Sequence, residues 1–188
     1  LRNSPSSYEV EIRILEKDNL CNIYIKLYSF KDDRFDYRKN DLATSINPVT
    51  AAIVIKSIEQ WLEPSAKVID PFCGAGTMLI ERSKFEQSES LTGIDIFRTA
   101  ITAATINSKL ANVDIELIAD DTIEFIPYTL YDEIITNMPF DNKSTTHNKY
   151  SELYSAFIAK IPRLVKLNGM AFEIGRASCR ERVFAGCR

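Results

Sequence analysis

The sequence predicts an α/β domain: a mostly parallel sheet with helices on both faces, preceded by a small β-hairpin. Three observations lead there. Short apolar strands alternate with helical stretches from residue 67 onward. Those strands are continuous apolar runs, as strands buried on both faces must be. Near the start, by contrast, apolar and polar residues alternate with period two.

The hairpin comes first. Tyr8 to Ile14 alternates, and Cys21 to Phe30 does much the same, with Ile23, Ile25 and Leu27 on one face. Lys17-Asp18-Asn19 is the turn between them. A lone hairpin is marginal in water and must pack on something. Residues 1–33 are therefore expected to be the end of a domain lying upstream of Leu1.

Residues 31–47 are polar and irregular. A helix starts near Pro48, a favoured first-turn residue. Ala51, Ile55, Ile58 and Leu62 form its stripe, and Pro64 ends it. Val68-Ile69 is a short strand, and Thr77 to Phe85 a helix. Leu91 to Ile96 is a strand. Phe97 to Leu110 is a helix closed by Asn112. Ile115 to Ala119 and Asp132 to Thr136 are strands. Tyr150 to Lys166 is a helix with Leu153, Phe157, Ile161 and Leu164 on one face. Asn168-Gly169 is expected to cap it, and Met170 to Ile174 is the fifth strand.

Composition narrows the class. Of 188 residues, 45% are hydrophobic and 26% charged, which excludes a disordered chain. No apolar run approaches the roughly 20 residues of a membrane span. No basic-then-apolar leader opens the chain. The net charge is -3. The segment Gly175 to Arg188 holds four arginines and one glutamate. The stretch EIGRASCRERVF, Glu173 to Phe184, resembles the translation of a sequencing adapter. Residues 175–188 are therefore set aside as a non-native tail, the alternative being a basic tail. Without them 19 basic residues face 25 acidic ones, and only Cys21 and Cys73 remain. Two isolated cysteines suggest neither disulfide nor metal and fit a reducing cytoplasm.

The chemistry gathers after the strands. Asp70-Pro71-Phe72-Cys73-Gly74-Ala75-Gly76-Thr77 follows the first of them. Gly74 and Gly76 let the backbone turn sharply and approach a ligand. Asp95 ends the next strand, 21 residues beyond Gly74, where a carboxylate can accept from a ribose diol. The dinucleotide fingerprint fails, because Leu79 stands where its third glycine would be. Asp70 would repel a pyrophosphate but suits a cation, such as the ammonium or sulfonium of S-adenosylmethionine. Asp120-Asp121 follows the third strand and could accept from an adenine amine. Each acid alone would pass for a helix cap. Three at one sheet edge indicate a site.

Thr136-Asn137-Met138-Pro139-Phe140 follows the fourth strand. A base amine is a poor nucleophile, since its lone pair is delocalised into the ring. An Asn carbonyl and an adjacent backbone carbonyl can each accept one amine hydrogen and aim that lone pair. Pro139 stiffens the turn, and Phe140 offers a stacking face worth about 1–3 kcal/mol.

VIDPFCGAGTMLIER, TGIDI and TNMPF, in this order, resemble a class I S-adenosylmethionine-dependent methyltransferase. RFDYRKN, SINPVTAA and NMPF resemble the THUMP-associated RNA guanine-N2 methyltransferases. The likeness runs from about Arg34 to Phe172. It implies a Rossmann-like methyltransferase domain over 34–174, cut after the fifth core strand. It implies that Asp70, Pro71, Phe72, Cys73, Gly74, Gly76 and Thr77 hold the methionine part of the cofactor. Asp95 would hold the ribose, with Ile96 beside it, and Asp120 or Asp121 the adenine edge. Asn137 would border the cofactor and, with Met138, Pro139 and Phe140, receive the target amine. The implied partner is tRNA or rRNA, and the implied RNA-binding domain would precede this chain. Asp141 and Met138 depart from the family's usual Gly and Pro.

Adenine-N6 and protein-glutamine transfer use a similar Asn-x-Pro-aromatic turn and are the alternatives within the class. A nucleotide-binding module without transferase activity is the alternative outside it. His147 is expected in a solvated loop, Cys73 as a packing residue and Trp61 in the core. Arg34, Tyr37, Arg38 and Lys39 are candidates for phosphate contact or for an interdomain salt-bridge cluster.

Overall fold

The structure, a computed structural model, describes residues 10–26, 33–40, 42, 45–139 and 147–174, the side chains of 147–149 excepted. The chain falls into two compact units, Leu1–Arg34 and Phe35–Arg188.

In the first unit, β1 (Glu11–Lys17) and β2 (Leu20–Lys26) pair antiparallel. Asp18 and Asn19 join them with φ of 53° and 62°. Two successive left-handed residues make the turn whose twist matches a right-handed hairpin, and Asp and Asn tolerate it best among non-glycine residues. Ile12 pairs with Ile25 and Ile14 with Ile23, so one face of the ribbon is apolar.

The second unit is a five-stranded parallel sheet in the order β5-β4-β3-β6-β7. Its strands are β3 (Lys67–Asp70), β4 (Ser90–Asp95), β5 (Glu116–Ala119), β6 (Tyr131–Asn137) and β7 (Val165–Ile174). Its helices are α1 (Pro48–Ile58), α2 (Thr77–Ser83), α3 (Arg98–Ala111) and α4 (His147–Lys160). Strand side chains alternate between two cores. Val68 and Ile135 pack with Ile55, Leu79 and Ile80 on one face. Ile69 and Ile134 pack with Ile94, Phe157 and Leu164 on the other. Both faces are covered, and this is why the strands are apolar without a break.

Local chemistry sets the helix ends. Asn47 caps α1 by accepting from the Val49 amide at 2.9 Å. Asn112 closes α3 in the left-handed conformation. One expectation fails at α4. The helix stops at Lys160 and passes into a 3-10 turn, Ile161–Arg163, because Pro162 brings no amide to continue it. Asn168 and Gly169 cap nothing: they lie in an irregularity inside β7, where Val165 pairs with Tyr131 and Met170 with Glu133. A Cβ at Gly169 would stand 2.3 Å from Val165 Cγ1 and 2.8 Å from the Asp132 carbonyl. Trp61 is also not core. It sits in a 3-10 turn after α1 and is 41% exposed. His147 opens α4 rather than lying in a loop.

Buried polar contacts lock the layers together. Arg82 of α2 and Glu133 of β6 are fully buried and pair at 2.9 Å and 3.0 Å. The remaining arginine donors meet the carbonyls of Glu86 and Glu63. Tyr37 is buried and donates to Glu81 Oε1 at 2.7 Å, a structural anchor rather than a phosphate contact. Asn107 of α3 donates to the carbonyls of Asn40 (2.9 Å) and Ala75 (3.1 Å), and accepts from the Asn40 amide. Arg38 donates to the carbonyls of Ser45 and Ile46, so its guanidinium faces backbone.

Candidate active site at the carboxyl ends of the strands

Strand order reverses between β3 and β6, and a parallel sheet leaves a crevice at such a point. A cavity of about 430 Å³ lies there. Asp70 ends β3, Asp95 ends β4 and Asn137 ends β6, and all three line it.

The loop between β3 and α2 turns on Gly74 and Gly76, with φ of 51° and 79°. A Cβ at Gly76 would press on Ala104 of α3 at 3.3 Å, so the loop sits tight on that helix. Asp95 orients the loop from the next strand. Its Oδ2 accepts from the Gly74 amide at 3.0 Å and its Oδ1 from the Phe97 amide at 2.9 Å. Each oxygen keeps a further lone pair.

Asp70 is 1% exposed. It accepts from the Thr136 hydroxyl at 2.7 Å and the Phe72 amide at 3.1 Å. Burial pushes its pKa up to about 7, helped by nearby Asp95, while the two hydrogen bonds pull the other way. A cation in the cavity would favour its ionised form. Burial, and then the fields of Asp70 and Asp95, keep the Cys73 thiol protonated, so it is a packing group and not a nucleophile.

Two hydroxyls lining the cavity, Ser45 Oγ and Thr77 Oγ1, are buried and have no hydrogen-bond partner among the described residues. Orphaned buried hydroxyls are rare, and at a cavity wall they are waiting donors.

Of the residues expected at the site, Asp70, Phe72, Cys73, Gly74, Thr77, Asp95, Ile96, Asp121, Asn137 and Pro139 line this cavity. Pro71, Gly76, Asp120 and Met138 do not. Pro71 accepts from the Thr122 hydroxyl. Asp120 Oδ1 accepts from the Asp121 amide, so Asp121 is the acid brought to the cavity. Met138 is fully buried in the core. Phe140 lies outside the described residues. The cavity also takes Ser45, Phe97, Thr122, Ile123, Tyr150 and Leu153, none of which was expected from sequence. A Ser-x-Asn-Pro helix start was the one signal for Ser45. For Tyr150 the signal was its helical phase with Leu153.

Among the described residues no group of three His, Cys, Asp or Glu could hold a metal ion. No described helix is long and apolar enough to cross a membrane.

An open parallel sheet in this order, with acids at its carboxyl edge, is the Rossmann-like fold of class I methyltransferases. The crystal structure of TrmN from Thermus thermophilus shares it, with a TM-score of 0.68 and 19% identity over 90% of this chain and 50% of that one. Residues 36–180 match the RMKL-like methyltransferase domain, and the chain belongs to that family, UPF0020. The tRNA (guanine(10)-N2)-dimethyltransferase of Pyrococcus abyssi is 24% identical over 79% of this chain and 48% of its own. The human U6 snRNA (guanine-N(2))-methyltransferase THUMPD2 is 33% identical over 44% of this chain and 17% of its own. The chain thus spans half or less of these relatives.

Proposed function

We propose that this chain is the catalytic part of an RNA methyltransferase that modifies an exocyclic base amine, N2 of guanine in tRNA or rRNA. The observation that carries this is Asn137. It lines the same cavity as Asp70 and Asp95, one strand away at the switch point. A neutral amide that takes up no proton at ordinary pH suits aiming a neutral amine rather than deprotonating it.

S-adenosylmethionine fits the cavity by charge and by donors: two orphaned hydroxyls for a carboxylate, and Asp70 for the ammonium. When bound it supplies a methyl group on a sulfonium sulfur. Ser45 and Thr77 would hold its carboxylate end. Asp95 would take the ribose diol on its free lone pairs, and Asp121 the adenine amine. Asn137 Oδ1 would accept one hydrogen of the target amine and orient its lone pair for attack, and the proton the amine gives up on methylation would leave to water. Pro139 restricts the turn, so the gain comes from positioning.

The relatives' greater length supports a division of labour. Residues from 34 onward form the methyltransferase domain, and residues 1–33 end a preceding domain. The acidic balance of the catalytic part leaves RNA docking to that preceding domain, acting in cis.

Tritiated-methyl transfer to RNA, DNA and a protein extract tests the proposal. Labelling of RNA, with N2-methylguanosine after digestion, is expected. Labelling of protein alone, or of adenine, overturns the substrate. Calorimetry with S-adenosylhomocysteine and NADH separates a methyltransferase from a plain nucleotide-binding module.

A further inference from the structure

Helix α4 carries a side chain that the roles above leave unused. Tyr150, Leu153, Tyr154 and Phe157 fall on one helical face. Phe157 goes to the core and meets the Phe72 ring edge-on, centroids 5.1 Å apart. Tyr150 and Leu153 line the cavity. Tyr154 packs its ring against the margin of that core and does not line the cavity. Its phenol donates to the Pro139 carbonyl at 3.1 Å.

That bond falls on the turn that follows Asn137. Met138, between Asn137 and Pro139, is already tied on the other side: its amide donates to the Ile174 carbonyl of β7 at 2.9 Å. Proline has a fixed φ, so the direction of its carbonyl is the freedom left in the turn. Tyr154 takes that freedom away. The turn is thus pinned to β7 at Met138 and to α4 at Pro139, with Asn137 immediately before both pins.

We propose that Tyr154 is a positioning residue for methyl transfer, its hydroxyl holding the Pro139 carbonyl and through it the angle at which Asn137 meets the target amine. This rests on the proposed role of Asn137. Burial, followed by the fields of Glu173 and Tyr150, raises the phenol above its ordinary pKa, so the donor keeps its proton through the neutral range. Tyr154 does not line the cavity, so its contribution is to aim and not to cofactor affinity.

Tyr154→Phe keeps the ring and removes only the donor. The single-turnover rate of methyl transfer to an unmodified transcribed tRNA, at saturating RNA, is expected to fall about tenfold. That is the scale of a modest misalignment at a reacting centre. The half-saturating RNA concentration and the affinity for S-adenosylhomocysteine should stay within about twofold, that is, within a few tenths of a kcal/mol. Amide hydrogen exchange needs no substrate. In Tyr154→Phe the peptide covering 136–141 should exchange faster, while β3 and β4 do not. A wild-type rate at saturating RNA overturns the proposal, as does a matching loss of S-adenosylhomocysteine affinity. A wild-type chain that labels no RNA fails the substrate instead. Exchange then decides alone: faster exchange at 136–141 supports Tyr154 as the pin, and unchanged exchange overturns it.

Discussion

Thr136 gives its hydroxyl to Asp70 Oδ1 at 2.7 Å, across the junction of β3 and β6. The bond lowers the pKa of a carboxyl that burial has raised to about 7. Thr136→Val should therefore push Asp70 higher still. S-adenosylmethionine affinity, measured by calorimetry from pH 5.5 to 8.5, should rise with pH through about 7 in the wild type. In the variant that rise should move to higher pH. A pH-independent affinity would remove Asp70 from the cation site.

Asp70 also sets a stability slope. Its folded pKa of about 7 lies above the ordinary 3.8, so the folded chain holds this proton more tightly than the unfolded one. The stabilisation is complete below about 3.8 and is lost as pH rises toward 7. Asp95 and Cys73, which face it, do not reverse the sign. Asp70→Asn should abolish this part of the slope and raise Tm at pH 8, while weakening S-adenosylmethionine binding. Thermal melts at pH 4, 6 and 8 check it.

Asp95→Ala should weaken S-adenosylhomocysteine binding at least tenfold. The ribose loses an acceptor and the Gly74 and Phe97 amides lose theirs, each unmade hydrogen bond costing about 1–3 kcal/mol. Undiminished affinity would show that Asp95 is not the ribose ligand.

Asn137→Ala should leave that affinity alone and lower turnover by on the order of 10²-fold, since only the aim of the amine is lost. Paired calorimetry and single-turnover kinetics make the comparison. Wild-type turnover would exclude Asn137 from the role.

Arg82→Met should destabilise the domain by about 3–5 kcal/mol, because it strands the buried Glu133 carboxylate. Adding Glu133→Leu should restore part of the loss in urea unfolding. A single variant as stable as wild type would mean that water reaches the pair.

The strands and the site were legible in sequence to unequal degrees. Local signals carried Val68-Ile69, Asp95 and Asn137, because a short apolar run followed by a polar residue marks a strand end directly. Asn168-Gly169 misled for a local reason. A left-handed Asn and a Gly close a helix or kink a strand equally well, and the close approach of Val165 and the Asp132 carbonyl to Gly169 decided between them. Trp61 misled because size suggested burial, and its turn faces water. Ser45 carried only the signal of a Ser-x-Asn-Pro helix start and Tyr154 only its helical phase with Tyr150 and Phe157, and neither pattern names a partner. One matters because a guanidinium 7 residues earlier holds its carbonyl, the other because a proline 15 residues earlier meets its hydroxyl.

Asn107 joins the Asn40 backbone to the Ala75 carbonyl through a single buried amide. The segment beside Ser45 and the glycine loop beside Asp95 therefore cannot loosen independently. Opening either one breaks hydrogen bonds that the other shares, so the two sides of the cavity form one cooperative unit. Much of the ordering that binding would otherwise require is built into the fold. Tight binding would then follow from rigidity set at Asn107, a buried residue of α3 that does not line the cavity.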